Sequence, residues 1–298
     1  MASVLSLSEF IQRFPSEEEC LQYLIEKRWP NGFVCPKCGH TTAYFLETYK
    51  RYQCISCRHQ TSVTAGTVFH KSHQPIHTLF LAIYFIATSK KGLSAMELQR
   101  KLGIKSYRTA WTLLHKIRTA MASSEAFPLS NAVEVDETYI GGRHHGKRGR
   151  GAEGKSLVAA AVETNGRSMG RAYLKVIENV SMTSLNSFIS SHVVTGVTVR
   201  SDAFKSYAFL RQNYIHKPIT SSHQEAKGDT LPKVHIVIAN LKMWLRGTYN
   251  SLPSKHLQKY LDEFIFRFNR RWNLERIFDK LLDRCIFSHT CTFAELTT

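Results

Sequence analysis

Acidic side chains are scarce in this sequence, and long apolar runs are missing. Against 40 Lys and Arg stand only 23 Asp and Glu, a formal charge of +17 over 298 residues. Such a surplus suits a polyanionic partner, most simply nucleic acid, whose binding is driven by counterion release. An anionic membrane surface, or a merely soluble basic protein, is the blander reading. The longest apolar run, Leu79–Ala87, has nine residues, where a membrane-spanning helix needs about 20. No basic-then-apolar leader opens the chain, and the acidic cluster Glu17–Glu19 follows soon after, so an intracellular location is expected. Cysteine is sparse as well, at seven residues. In a reducing cytosol Cys20, Cys285 and Cys291 read as free thiols, and the remaining four as metal ligands rather than disulfides.

Those four are tightly patterned. VCPKCGH (34–40) and QCISCRH (53–59) place two C-x2-C knuckles 15 residues apart. Each knuckle turns two thiolates toward one point, and a tetrahedral Zn²⁺ joining them supplies folding energy that so short a segment lacks. Cys35, Cys38, Cys54 and Cys57 are the expected structural zinc ligands, with an aromatic- and Thr-rich hairpin between the knuckles. His40 and His59 lie near enough to compete but read as bystanders. His70, His73 and His77, in a Pro-containing linker, read as solvated or DNA-facing rather than as a second metal site.

Around this module the spacing is helical. Residues 1–30 read as two short helices, with Ser16 and Glu19 as a capping box. TLFLAIYFIATS (78–89) reads as a helix buried on all sides. SAMELQRKLGI and SYRTAWTLLHKIRTAM then give two helices joined by a tight turn at Gly103, the shape of a helix-turn-helix. Lys105, Tyr107 and Arg108 fall at the DNA-facing start of the second helix, and Trp111, Leu113, Leu114 and Ile117 on its core side.

After a breaker-rich linker (123–131), VEVDETYIGG alternates apolar and polar side chains as a half-buried strand does. Carboxylates at Asp136 and Glu137 lower strand propensity and cost desolvation energy unless a cation or an ion pair offsets it. The segment 143–155 is Gly-rich and basic; Arg143, Lys147 and Arg148 read as phosphate-holding residues on a loop. Two strands joined by Asn165-Gly166, a helix over 181–193, and a strand ending at Asp202 follow. That order is α/β and ribonuclease-H-like, an arrangement in which carboxylates on adjacent strands converge at one edge. The expected division is helices over 1–30, a zinc ribbon over 31–70, a helix-turn-helix DNA-binding domain over 71–125, and a catalytic domain over 130–298, closed by helical spacing across Leu257–Cys285.

The chain resembles the DDE-type insertion-sequence transposases of family 1595, the ISXO-like transposases. The resemblance rests on the zinc ribbon, the helix-turn-helix, DETYIGG, SDAFKSY, and the late block KVHIVIANLKMWLRGTYNSLPSKHLQKYLDEFIFRFNRR. It implies that Asp136 and Asp202 are the first two carboxylates of a catalytic Mg²⁺ or Mn²⁺ site. It further implies a third polar residue seven positions before a Lys. Counting back from Lys242 reaches His235, two helical turns away on the same face. Asn240 is the competitor for that position; being two residues from Lys242, it points elsewhere. A nitrogen ligand is soft for Mg²⁺, which bears on metal preference. The implied activity is DNA cleavage at an element's ends and strand transfer to a target, with Lys242 holding a phosphate. The implied setting is a prokaryotic cytoplasm at the nucleoid, with oligomers forming on double-stranded DNA. The alternative is a DNA-binding regulator with a catalytically inactive core. Asp262 and Glu263 read as salt-bridge partners of nearby arginines.

Overall fold

Serine caps open the first two helices of the computed structural model, which describes residues 4–122, 127–141, 155–219, 231–249 and 252–297. Ser6 starts Leu7–Arg13 with a complete capping box to Glu9, which the sequence reading did not pick out. At Ser16, which opens Glu17–Arg28, the expected box is altered. The Ser16 hydroxyl accepts from Glu18 N–H and donates to the Glu19 carboxylate. The neighbouring Glu17 serves a distant helix. It accepts from the backbone N–H groups of Ile76 and His77 at 2.9 and 2.8 Å. The Ile76–Thr88 helix needs this, because its own cap residue is Pro75, which offers no side-chain acceptor.

By contact the chain divides into two units, residues 1–121 with 273–298, and residues 122–272. In the first, Ile76–Thr88 is buried along most of its length, as its all-round apolar sequence implies. Aromatic rings fill the space around it: Phe14 meets Phe80 edge-on at 5.1 Å, and Phe10 meets Phe278 edge-on at 5.6 Å. The helix-turn-helix pair is Ala95–Leu102 and Tyr107–Ala120, joined through Gly103 in the left-handed conformation (φ 62°) that terminates the first helix. Leu113, Leu114 and Ile117 are buried as expected, whereas Trp111 is half-buried and stacks on His115 at 4.1 Å.

Phe278 shows where the sequence-based division needs correction. The single domain expected over 130–298 ends at Trp272, and residues 273–298 join the first unit. The helical spacing read across Leu257–Cys285 is broken in two, into Leu257–Phe268 and Ile277–Phe287, by turns and a short 3-10 segment. The buried stripe of the later helix (Phe278, Leu281, Leu282 and Cys285) belongs to the first unit's core. Helical periodicity alone does not say which core an amphipathic stripe joins.

The second unit is built on a five-stranded sheet. Its strands are β4 (Ala132–Ile140), β5 (Ser156–Asn165), β6 (Ser168–Ile177), β7 (Thr198–Asp202) and β8 (Ile215–Ile219), in spatial order β6-β5-β4-β7-β8; β1 to β3 belong to the zinc ribbon described below. β5 is antiparallel to β4 and β6, and β7 runs parallel to β4 and β8. Three antiparallel strands followed by two parallel ones make the ribonuclease-H-like α/β order. The two-residue turn at Asn165-Gly166 forms as expected, with Gly166 at φ 57°. Period-2 alternation splits the core: Val133 and Val135 face the Met182–His192 helix, while Val158, Ala160 and Val162 face the Pro232–Thr248 and Leu257–Phe268 helices. β8 was not foreseen: the sequence reading assigned no element to IHKPI, whose proline lowers strand propensity. Pro218 is tolerated there since β8 is the sheet's edge, where one side of the strand makes no ladder bonds.

If the C-terminal helix completes the first unit's core, Phe278→Ala lowers that unit's unfolding free energy by about 3–5 kcal/mol. Chemical denaturation followed by tryptophan fluorescence measures this. A loss under about 1 kcal/mol would show that the ring is not part of that core.

Candidate functional site

Two sets of chemistry-bearing side chains stand out. The first is the cysteine cluster on the small sheet β1 (Ala43–Leu46), β2 (Arg51–Cys54), β3 (Gln60–Ser62). The four expected cysteines come together, their sulfurs all within 4.8 Å of one another. Cys35 and Cys57 are 3.6 Å apart, as are Cys38 and Cys54. Tetrahedral Zn–S bonds of about 2.3 Å require sulfurs roughly 3.8 Å apart, so the cage fits zinc. The two knuckles repeat one backbone design. Cys35 N–H donates to His40 O and Cys54 N–H to His59 O, while Gly39 and Arg58 return their N–H groups to the first cysteine's carbonyl. Both returning residues are left-handed, at φ 74° and 57°. His40 and His59 thus contribute backbone carbonyls to the knuckles. Phe33 stacks on Tyr52 at 4.6 Å, with Trp29 edge-on to both, beneath the cage.

The second set lies on the large sheet. In β4 the adjacent acids diverge. Glu137 shares the face of Val133 and Val135 and accepts a 2.7 Å hydrogen bond from Tyr207, itself buried. Asp136 points to the opposite face. The parallel pairing of β4 with β7 sets Val133 against Val199 and Glu134 against Arg200. Asp136 and Asp202 each lie two residues beyond the last of these pairs, near enough for the Asp202 charge to act on Asp136. Asp202 Oδ1 is held by Phe204 N–H at 3.2 Å, which anchors the end of β7. From the Pro232–Thr248 helix, His235 Nε2 lies 3.2 Å from Asp136 Oδ2.

Burial pushes the Asp136 carboxyl above its ordinary range, and the nearby Asp202 charge adds to this. The Glu137 N–H and His235 act in the other direction. Lys242, two turns beyond His235, is lowered by burial and by Arg246, while the Asp136 charge partly restores it. Asp136 thus interacts electrostatically with the other three expected site residues, Asp202, His235 and Lys242. Asn240 lies on the exposed side of the same helix. A carboxylate beside a second carboxylate and an imidazole offers atoms that could hold a divalent cation. The cluster is looser than the cysteine cage: among the described residues, only the four cysteines have ligand atoms all within 4.8 Å.

Lys105, Tyr107 and Arg108 are exposed at the start of their helix, and the Arg108 guanidinium sits 4.0 Å over Phe293. Arg143, Lys147 and Arg148 lie outside the described residues. Glu263 pairs with Arg267 at 3.3 Å as expected, and Asp262 accepts from Gln258. Sequence reasoning passed over Glu134, which is buried and accepts from two backbone N–H groups of the His235 helix. Its signal was present in the period-2 spacing that puts it on the face of Asp136.

A ribonuclease-H-like sheet with paired carboxylates on its central parallel strands, together with a zinc ribbon, defines a class. Family models agree with it. Residues 128–269 match the ISXO2-like transposase domain and residues 15–60 the transposase zinc-ribbon domain of the same group. The chain belongs to this ISXO2-like (IS1595) transposase family. It is 24% identical to a protein in transposable element ISH50 of Halobacterium salinarum, over 69% of this chain and 76% of that one. Among solved structures, the Mos1 strand transfer complex aligns over 72% of this chain and 78% of that one, at 13% identity and a TM-score of 0.30. A pre-cleavage Mos1 transpososome aligns at 12% identity and a TM-score of 0.27, over 72% of this chain and 79% of that one. No helix among the described residues is long and apolar enough to cross a membrane.

Two outcomes test the site. Elemental analysis should find one zinc per chain, and Cys54→Ser should lose it and open residues 31–62 to proteolysis; full zinc in that variant would refute the cage. For Asp136 the sign follows from its raised pKa. The native state is penalised as pH rises from the ordinary carboxylate range through the raised value, and the penalty persists above it. Asp136→Asn should therefore raise the melting temperature of the metal-free protein at neutral pH, with the gain vanishing in strong acid. A lower melting temperature at neutral pH would contradict the burial argument.

Proposed function

We propose that this chain is the transposase of an insertion sequence, binding the element's ends and carrying out metal-dependent DNA cleavage and strand transfer. The observation that supports the reading is the approach of His235 to Asp136 at 3.2 Å, with Asp202 at the end of the adjacent parallel strand. Asp136 and Asp202 would hold Mg²⁺ or Mn²⁺ with hard carboxylate oxygens, and His235 would add a nitrogen. When bound, such ions supply activation of the attacking oxygen and charge stabilisation of the leaving one. The protein's own groups supply position and charge. The sheet fixes the carboxylates on a rigid frame, and the Lys242 ammonium, desolvated beside Asp136, orients a phosphate of the scissile strand.

Double-stranded DNA is the proposed partner, engaged by the helix-turn-helix through Lys105, Tyr107 and Arg108, and by Arg143, Lys147 and Arg148 around the cleavage site. Sequence-independent affinity follows from the +17 charge. Pairing of two ends calls for an oligomer on DNA, and the cytoplasm beside the nucleoid is the proposed setting. A second reading, a DNA-binding regulator with a silent core, is favoured by one feature, the histidine standing where a harder ligand suits Mg²⁺.

The test is a nicking assay on DNA carrying the element's ends, with Mg²⁺ or Mn²⁺. The wild type should nick, and Asp136→Ala and Asp202→Ala should each reduce the rate by about 10³-fold or more while still binding the ends. End binding without nicking by the wild type would leave the regulator reading standing and the enzyme reading refuted. Because cation binding needs an ionised Asp136, nicking should also weaken on acidification from a higher pH than an ordinary aspartate would give. A pH–rate profile flat across the acid range would count against that carboxylate.

A further inference from the structure

Glu134 is among the few acidic side chains of the protein that are almost fully buried, at 1% exposure. Its Oε2 accepts from Lys233 N–H at 2.8 Å and Val234 N–H at 3.0 Å, in the first turn of the Pro232–Thr248 helix. That helix has no side-chain cap of its own: its cap residue is Leu231, and Pro232 follows. A serine or aspartate at the cap position is the ordinary local solution. Here the cap comes instead from the middle of β4, a hundred residues away in sequence. The other oxygen, Oε1, lies 3.9 Å from Arg200 on β7, the residue directly opposite Glu134 in the strand register.

The three elements that this carboxylate touches are the three that carry the proposed metal-binding side chains. Glu134 is two residues before Asp136 on β4, on the same face. Arg200 is two residues before Asp202 on β7. Val234 immediately precedes His235. One pleat repeat below the site, a single side chain ties together the strand of each aspartate and the helix of the histidine. Its Oε2 is committed to two backbone donors, so it is not a further ligand.

We propose that Glu134 is the positioning residue of the site, setting the His235 helix against β4 so that His235 reaches Asp136. This rests on the reading of Asp136, Asp202 and His235 as the metal-binding set. Reach matters more than charge in this role. Gln keeps the length and an oxygen that accepts from both N–H groups, while Asp keeps the charge but is one methylene too short to span the gap. A ligand or a purely electrostatic group would show the reverse order.

The experiment compares Glu134→Gln and Glu134→Asp in the full-length, zinc-loaded chain by two readouts. The first is independent of catalysis. In an Asp136→Cys/His235→Cys background, a short bifunctional thiol reagent should cross-link the two positions efficiently with Glu or Gln at 134, and several-fold less with Asp. The second is the Mg²⁺ concentration at half-maximal nicking, with the native residues at 136 and 235. It should stay within about threefold of wild type for Gln and rise about tenfold for Asp, as for other residues that orient metal ligands. Cooperative thermal melts confirm that both variants fold. Equal cross-linking in all three backgrounds, or better function with Asp than with Gln, would overturn the proposal. A wild type that cross-links as expected but never nicks would sink the enzymatic reading and leave the positioning role of Glu134 supported.

Discussion

A carboxylate held out of water in a strand is costly, and a second carboxylate on the adjacent parallel strand adds to the cost. In the second unit Asp136 bears this cost. Removal from water favours the protonated form of Asp136, and the neighbouring charge favours it further. What keeps the carboxylate ionisable is local: the Glu137 N–H, and His235 at 3.2 Å. A fold selected for stability alone would place an apolar residue there. The unit instead sets this carboxylate on β4, a strand with neighbours on both sides in the sheet order and packed on both faces.

Both units solve a second problem in the same way. The first N–H groups of a buried helix need acceptors, and in two central helices the local residue, Pro75 or Leu231, supplies none. Glu17 and Glu134 do so from elsewhere in the chain. A cap supplied across the fold does more than end a helix, because it also sets where that helix lies against the donor element. For Ile76–Thr88 this fixes the helix on which the aromatic core of the first unit is assembled. For Pro232–Thr248 it places a histidine against an aspartate. In a chain with only 23 acidic residues, two of them spent in this way argue that helix placement is tightly specified.

The zinc cage plays the corresponding part in a segment too small for a core. Phe33, Cys35 and Cys54 are the buried centre of the ribbon, with a few aromatics packed on them. The two knuckles share one hydrogen-bonding pattern, so the metal joins two similar turns. Family membership then ties this ribbon to the transposase domain that follows it.

Much of this is legible in the amino-acid sequence. Cysteine spacing gave the zinc ligands, because four thiolates in two C-x2-C turns have few other uses. Alternation around VEVDETYIGG located the central strand and its acids, since period 2 is a local property of the chain. The family resemblance, read together with helical spacing, matched His235 with Lys242, and the tight turn at Gly103 followed from glycine itself. Tertiary structure alone decided the rest. It sent residues 273–298 to the first unit, since periodicity records an apolar face but not the partner that covers it. It made a strand of Ile215–Ile219, where the edge of a sheet tolerates a proline that local propensity rejects. It also turned Glu134 from one more polar residue in an alternating strand into the cap of a helix a hundred residues on. Side-chain periodicity is written along the chain, whereas a hydrogen bond between distant elements exists only once they meet.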